Sequence, residues 1–270
     1  MKPILHPATA LGLANFAAHP AQAALVHGTE GIGLDTIGLY AAQQLTKDGG
    51  TITHIIPDST TITIEQIREL YVTTRSKAAS RRVIVIHEAG SMQAPAQNAF
   101  LKLLEEPTQQ TYFVLLTHSL DALLPTIRSR VQQIELLPIS DIAAQKLLTQ
   151  HSIDAALGRQ ILFIAPGLPA EIVRLATDEN YRNQQFALAT IAKQLISSAL
   201  FDRLALIQKL SSDRQQTLHA LQLAARMLSF QLLRQPSREV AQQLDRLQIA
   251  LAAIRQNGSL KAQLLRLLTA

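Results

Sequence analysis

The chain contains no cysteine. Disulfides are therefore excluded, and so is any zinc site built on thiolates. There is no tryptophan, and aromatic residues make up only 4% of the 270 positions. Grooves that hold single-stranded nucleic acid regardless of sequence rely on stacking aromatics, so that class of binder is disfavoured. Eight histidines are present, but no two form an HExxH pair, which removes a helical zinc-protease site. No apolar run approaches the ~20 residues that a membrane helix needs. The N-terminal stretch imitates a secretory leader through Lys2, its apolar residues and the small run Ala21-Gln22-Ala23. His6, Pro7, Asn15, His19 and Pro20 interrupt its apolar core, which a leader needs unbroken over about 7–15 residues. Cytoplasmic location without a membrane contact is the expectation.

What is present is a large apolar fraction, 47%, on a chain long enough for two or three domains. The net charge of +5 is uneven. Residues 184–270 hold 11 Lys/Arg against 4 Asp/Glu, whereas residues 1–183 hold 14 against 16. A basic C-terminal third suits a nucleic-acid surface or a face for an acidic partner. The plain alternative is a solvated helical face, which the dispersion of the charges favours.

Residues 22–28, QAALVHG, read as a buried strand entering a glycine-rich turn, and 36–45 as the following helix. Residues 51–57 read as a second strand, 63–75 as a helix with Ile64, Ile67 and Leu70 at helical spacing. Residues 82–86, RVIVI, form a continuous apolar strand of the kind covered on both faces. A helix over 94–104 stops at Glu105-Glu106-Pro107, and strands follow over 111–117 and 131–136. This alternation predicts an α/β domain with a parallel sheet and helices on both faces. Beyond Pro138 the strand-like runs end and Ala, Leu, Gln and Arg dominate. A small helical module is expected over 140–182, turning at Pro166–Pro169, then a helical bundle broken near Ser211-Ser212, Gln235–Ser237 and Asn257-Gly258.

The octet Gly28-Thr29-Glu30-Gly31-Ile32-Gly33-Leu34-Asp35 sits between the first strand and its helix. A working phosphate loop reads G-x-x-x-x-G-K-[ST] in that context. Gly28 and Gly33 hold the glycine positions, and Gly31 adds a third glycine between them. Leu34 stands where Lys reaches the β and γ phosphates, and Asp35 where Ser or Thr holds Mg²⁺. An apolar group replaces the electrostatic clamp, and a carboxylate beside the anion nest repels polyphosphate. The octet alone is equally an ordinary glycine-rich turn. A second motif bears on that choice: Val83–Glu88 reads as the strand that normally ends in a Mg²⁺-orienting Asp, but His87 holds that place. Glu88 remains where active ATPases polarise water, without metal or phosphate to act on. As a zinc ligand His87 lacks a second ligand close by in sequence, so a strand-end histidine satisfied locally is expected.

Three segments carry a resemblance: ITIEQIREL at 62–70, HEAGSMQAPAQNAFLKLLEEP at 87–107 and LLTHSLDALLPTIRSR at 115–130. They are similar to the bacterial DNA polymerase III delta-prime subunit and the related gamma/tau subunit of the sliding-clamp loader. The likeness is dense over about 75 residues and keeps its segment order along the first 180. The C-terminal 90 residues fit only as a generic helical collar. The resemblance implies a P-loop AAA+ α/β domain over 1–138, a helical lid over 139–183 and a helical collar for oligomerisation over 184–270. It implies that Ser129-Arg130 supplies an arginine finger to a neighbouring subunit's ATP, an effect worth ~10³-fold or more. A structural arginine at a strand start is the alternative for Arg130. Thr117 falls at the sensor 1 position. Gly167–Glu171 matches the sensor 2 turn, with Glu171 where an Arg would touch the γ-phosphate.

Two departures from the family pattern stand out. Val131 replaces the cysteine of the SRC motif, and the four-cysteine zinc module usual between loop and strand has no counterpart in residues 46–61. The implied function is a clamp-loader subunit that does not hydrolyse ATP, with gamma/tau and delta as partners. It would meet the sliding clamp and primer-template DNA through the complex, with no metal or cofactor of its own. An active gamma/tau-like ATPase and a stand-alone nucleic-acid-binding scaffold are the competing readings. Leu34, Asp35 and His87 oppose the first; scarce aromatics and dispersed charge oppose the second. Lys102, Arg81 and Arg82 are candidate DNA contacts, with solvated surface charge as the alternative.

Overall fold

The computed structural model describes residues 3–75, 80–106 and 109–267. Lys2 of the leader-like stretch and Pro107, read as a helix stop, lie outside the described residues. The chain divides into two compact units, Met1–Gln150 with Gly167–Val173, and His151–Pro166 with Arg174–Ala270.

The first unit is built on a parallel sheet of β1 (Ala23–His27), β2 (Gly50–Ile55), β3 (Arg81–Ile86), β4 (Thr111–Thr117) and β5 (Gln132–Glu135). The strands lie in the order β2-β3-β4-β1-β5. β1, β3 and β4 are interior and almost wholly buried; β2, at one edge, is largely exposed. Alternate residues serve opposite faces. On one face Leu25, Ile84, Ile86, Phe113 and Leu115 join Ile67 and Leu70 of α3 (Ile64–Arg75) and Phe100 and Leu103 of α4 (Ala94–Glu105). Phe100 meets Phe113 edge-to-face, centroids 5.2 Å apart. On the other face α2 (Leu34–Leu45) lays Gly38 over Leu116; a Cβ there would come within 2.6 Å of a Leu116 methyl. Each fully buried aliphatic or Phe side chain contributes about 1.5–3 kcal/mol, so these two layers hold the sheet between helices.

Local signals account for several boundaries. Thr63 and Gln66 form a reciprocal capping box at the start of α3, Thr63 N donating to Gln66 Oε1 (2.9 Å) and Gln66 N to Thr63 Oγ1 (3.3 Å). The leader-like N-terminal stretch contains α1 (Pro7–Ala18), a helix the sequence reading missed. Its polar residues include one the core needs. Buried Thr9 donates from Oγ1 to Glu135 O (2.9 Å) and accepts from Leu137 N (3.1 Å), tying α1 to the end of β5. Helix α5 (Pro125–Arg128) and α6 (Asp141–Gln150) complete this unit with the start of α8 (Pro169–Thr177).

The second unit is helical: α7 (Ala155–Ile164), α9 (Glu179–Ser197), α10 (Leu200–Leu210), α11 (Arg214–Arg234), α12 (Arg238–Arg255) and α13 (Leu260–Arg266). Helix α11 is central, packing on α7, α9, α10 and α12 and burying Ala220, Leu221 and Ala224. The three expected breaks fall between helices. A further break at Ser198-Ala199 separates α9 from α10, where neither residue carries a strong stop signal. None of the described helices is long and apolar enough to cross a membrane.

Candidate functional site

Connections leave β1 and β4 toward opposite edges of the sheet, so their carboxyl ends frame the crevice where such folds hold ligands. β1 enters it as the loop Gly28–Gly33. At Gly31 (φ +82°) and Gly33 (φ +97°) the backbone is left-handed, which glycine adopts at no steric cost. Gly33 also caps α2. Gly28 is needed for space, since a Cβ would stand 3.0 Å from Leu136 Cβ. These glycines therefore set the backbone path of the loop.

Its side chains do not supply the charge. Leu34 is buried in the core at 5% exposure. Asp35 is 79% exposed and accepts a hydrogen bond from His87 Nδ1 at 2.7 Å. The other nitrogen of His87, Nε2, lies 2.9 Å from His54 Nδ1 on β2. This corrects the expectation that His87 is satisfied locally. Its partners come from 52 and 33 residues away, because parallel pairing sets β2 beside β3 at the mouth of the loop. His54 was not singled out by the sequence reading, since only strand register brings it there. Among the described residues no group of three or more His, Asp or Glu is arranged to hold a metal.

The remaining loop ends complete the crevice. Glu88 adopts a left-handed conformation (φ 45°), uncommon for a residue with a side chain. Its carboxylate lies 3.9 Å from His118 Nε2. His118 also contacts Gly28 O through Nδ1 at 2.9 Å, so it joins the ends of β1, β3 and β4. Sequence reasoning missed it; its position directly after Thr117 was the available signal. Thr117 is buried, and its hydroxyl donates to Ser119 O (3.0 Å) while accepting from Ser119 N (3.1 Å). Glu171 reaches the loop from α8: its N–H donates to Gly31 O at 3.0 Å, and its Cβ would be 2.9 Å from a Cβ on Gly31. At the end of β1, burial pushes the His27 imidazole below its usual value, against the opposing pull of Glu135.

A second cluster lies at the start of β5. Arg130 is 43% exposed; it pairs with Glu105 at 3.1 Å and donates to Thr126 O at 3.1 Å. Ser129 is exposed, its hydroxyl donating to Thr126 O. Arg128 pairs with Asp121 at 3.2 Å. Buried Gln97 of α4 positions this segment. Its Nε2 donates to Met92 O and Ala122 O, both at 2.9 Å, and its Oε1 accepts from Leu124 N at 2.7 Å. Of the candidate DNA contacts, Arg81 donates to Leu45 O and lies over the Tyr112 ring, and Arg82 donates to Thr73 O. Both guanidinium groups are thus engaged with the protein itself, while Lys102 is exposed.

A family model described as DNA polymerase III, delta subunit, matches residues 46–140. The delta-prime resemblance is borne out. The DNA polymerase III subunit delta' of Pseudomonas aeruginosa is 30% identical over 146 residues, 52% of this chain and 43% of that protein. The subunit delta' of Bacillus subtilis is 31% identical over 137 residues, 50% of this chain and 40% of that one. The chain thus matches less than half the length of these delta-prime relatives. A DNA polymerase III gamma subunit-related protein of Thermotoga maritima superposes with a TM-score of 0.57 at 18% identity, covering 95% of this chain and 97% of that one. That likeness establishes the fold, a parallel α/β domain followed by helices. The family-model match over residues 46–140 includes both His87-Glu88 and Ser129-Arg130.

Proposed function

We propose that this chain is a delta-prime-type clamp-loader subunit that leaves its own nucleotide site idle and presents Arg130 to ATP bound by a neighbouring subunit. The carrying observation is the contrast between the two clusters. Where a phosphate loop needs a cation, Leu34 is buried and the next residue is a carboxylate. The loop's own ionisable residues are Glu30 and Asp35, both acidic, and Glu171 joins it from α8. Arg130, by contrast, stands half exposed on a segment that keeps Ser129 and Arg130 together. An exposed ion pair such as Arg130–Glu105 is worth about 1 kcal/mol or less, so it yields readily to the larger charge developing on a transferred phosphoryl group.

In this reading the first unit is a rigid stator in the loader. Residues 139–183 serve as the lid and 184–270 as the collar that joins gamma/tau and delta subunits. The sliding clamp and primer-template DNA are met through the complex, in the cytoplasm. The chain needs no zinc module and no nucleotide of its own.

Two measurements test it. Calorimetry of the purified chain with ATP and Mg²⁺ should show no binding; tight binding would overturn the idle site. In a reconstituted loader whose other sites are inactivated, Arg130→Ala should lower turnover at the site it faces by about 10³-fold. Unchanged turnover, with assembly intact, removes the finger role.

A further inference from the structure

In a working site of this kind a divalent cation is held between the residue after the loop lysine and the carboxylate at the end of the second motif strand. Here those two positions are Asp35 and His87. They touch directly, Nδ1 to Oδ1 at 2.7 Å. The two departures are complementary: one supplies a proton donor and the other a carboxylate. Geometry explains why histidine serves. Its Nδ1 is bonded to Cγ, as is Oδ of an aspartate, so the donor occupies the place of the lost carboxylate oxygen.

His54 completes the arrangement. A neutral His87 that donates through Nδ1 has an acceptor at Nε2, and His54 Nδ1 lies 2.9 Å from it. A proton on His54 Nδ1 fills that acceptor, and the bond at one nitrogen sets the tautomer at the other. The chain Asp35–His87–His54 runs from the first turn of α2 through the end of β3 to β2.

We propose that Asp35, His87 and His54 form a metal-free tie, in which the His87 Nδ1–H replaces the cation that would join loop to strand. The tie keeps the loop attached to β3 and β2 with no nucleotide bound. His54 is a positioning residue acting through His87. This rests on the degenerate-site reading above, but its test involves no ATP. ATP binding by the wild-type chain would defeat that reading and leave the outcomes below legible.

The experiment is thermal unfolding of the full chain with and without millimolar Mg²⁺, for wild type, His87→Asp and His87→Asn. Asparagine places an amide N–H where Nδ1–H stands and should melt near wild type, indifferent to Mg²⁺. Aspartate places two carboxylates in contact; it should melt about 2–4 °C lower and recover when Mg²⁺ is added. Nitrogen-15 NMR of the wild type should find neutral His87 protonated at Nδ1, the minor tautomer of free histidine. A His87→Asp chain that melts with His87→Asn, or that Mg²⁺ fails to restore, overturns the tie. So does a neutral His87 protonated at Nε2.

Discussion

Replacing Gln97 by leucine tests how the finger segment is held. Leucine is close in size and apolar, so it leaves little cavity; what it removes is hydrogen bonding. The amide of Gln97 satisfies Met92 O, Ala122 O and Leu124 N at once, from a side chain only 5% exposed. An abandoned polar group in a dry interior costs about 1–3 kcal/mol. The bond to Met92 O is buried, while those to Ala122 O and Leu124 N are partly open to water, so the three costs do not sum in full. The net loss should be about 2–4 kcal/mol, or roughly 5–15 °C in the melting of the first unit. Calorimetry reads the melting, and hydrogen exchange at the Leu124 amide reads the site itself. Because Leu124 begins the turn that carries Arg128–Arg130, exchange should rise from Leu124 through Arg130. A melt unchanged from wild type, with Leu124 still protected, would refute the claim that Gln97 clamps this segment.

Two further outcomes follow from the loop. The His27 imidazole is held below its ordinary value of 6.5 by burial, so above pH 6.5 both folded and unfolded states are neutral and the ring imposes no cost. Below 6.5 the unfolded chain binds the proton first, and stability falls until pH reaches the lowered folded value. His27→Gln, which cannot titrate, should shrink that decline in pH-dependent melts; an unaltered decline would place its source elsewhere. Gly31→Ala should destabilise the first unit by about 1–2 kcal/mol, from the left-handed backbone alone, and more where the new Cβ meets Glu171. Denaturant melts of Gly31→Ala beside the control Gly49→Ala, which is also left-handed (φ +101°) but opens into free space, separate contact from backbone strain. Equal losses at the two positions would show that the loop does not press on α8.

Much of the first unit was legible because its strands are buried on both faces. Continuous apolar runs such as Val83–Ile86 and Phe113–Leu116 admit few other readings, and the glycines of the loop have a steric reason to be glycine. Helix α1 was missed for the converse reason. Its His6, Pro7 and Asn15 interrupt an apolar leader, but Pro7 suits a first helical turn and His6 caps it, bonding to Ala8 N at 3.2 Å. The break at Ser198-Ala199 likewise left no trace in residue type.

For the site, chemistry and placement divide cleanly. The sequence by itself determined that no cation follows Gly33, that a histidine ends β3, and that an arginine stands just before β5, because these are matters of residue identity at motif positions. Only the tertiary structure decided what those residues do to one another. Strand order brings His54 beside His87, and the crevice between β1 and β4 brings His118 to Gly28 and Glu171 to Gly31. Contacts between residues 33, 52, 90 and 140 positions apart depend on register and crossover, which no local propensity encodes.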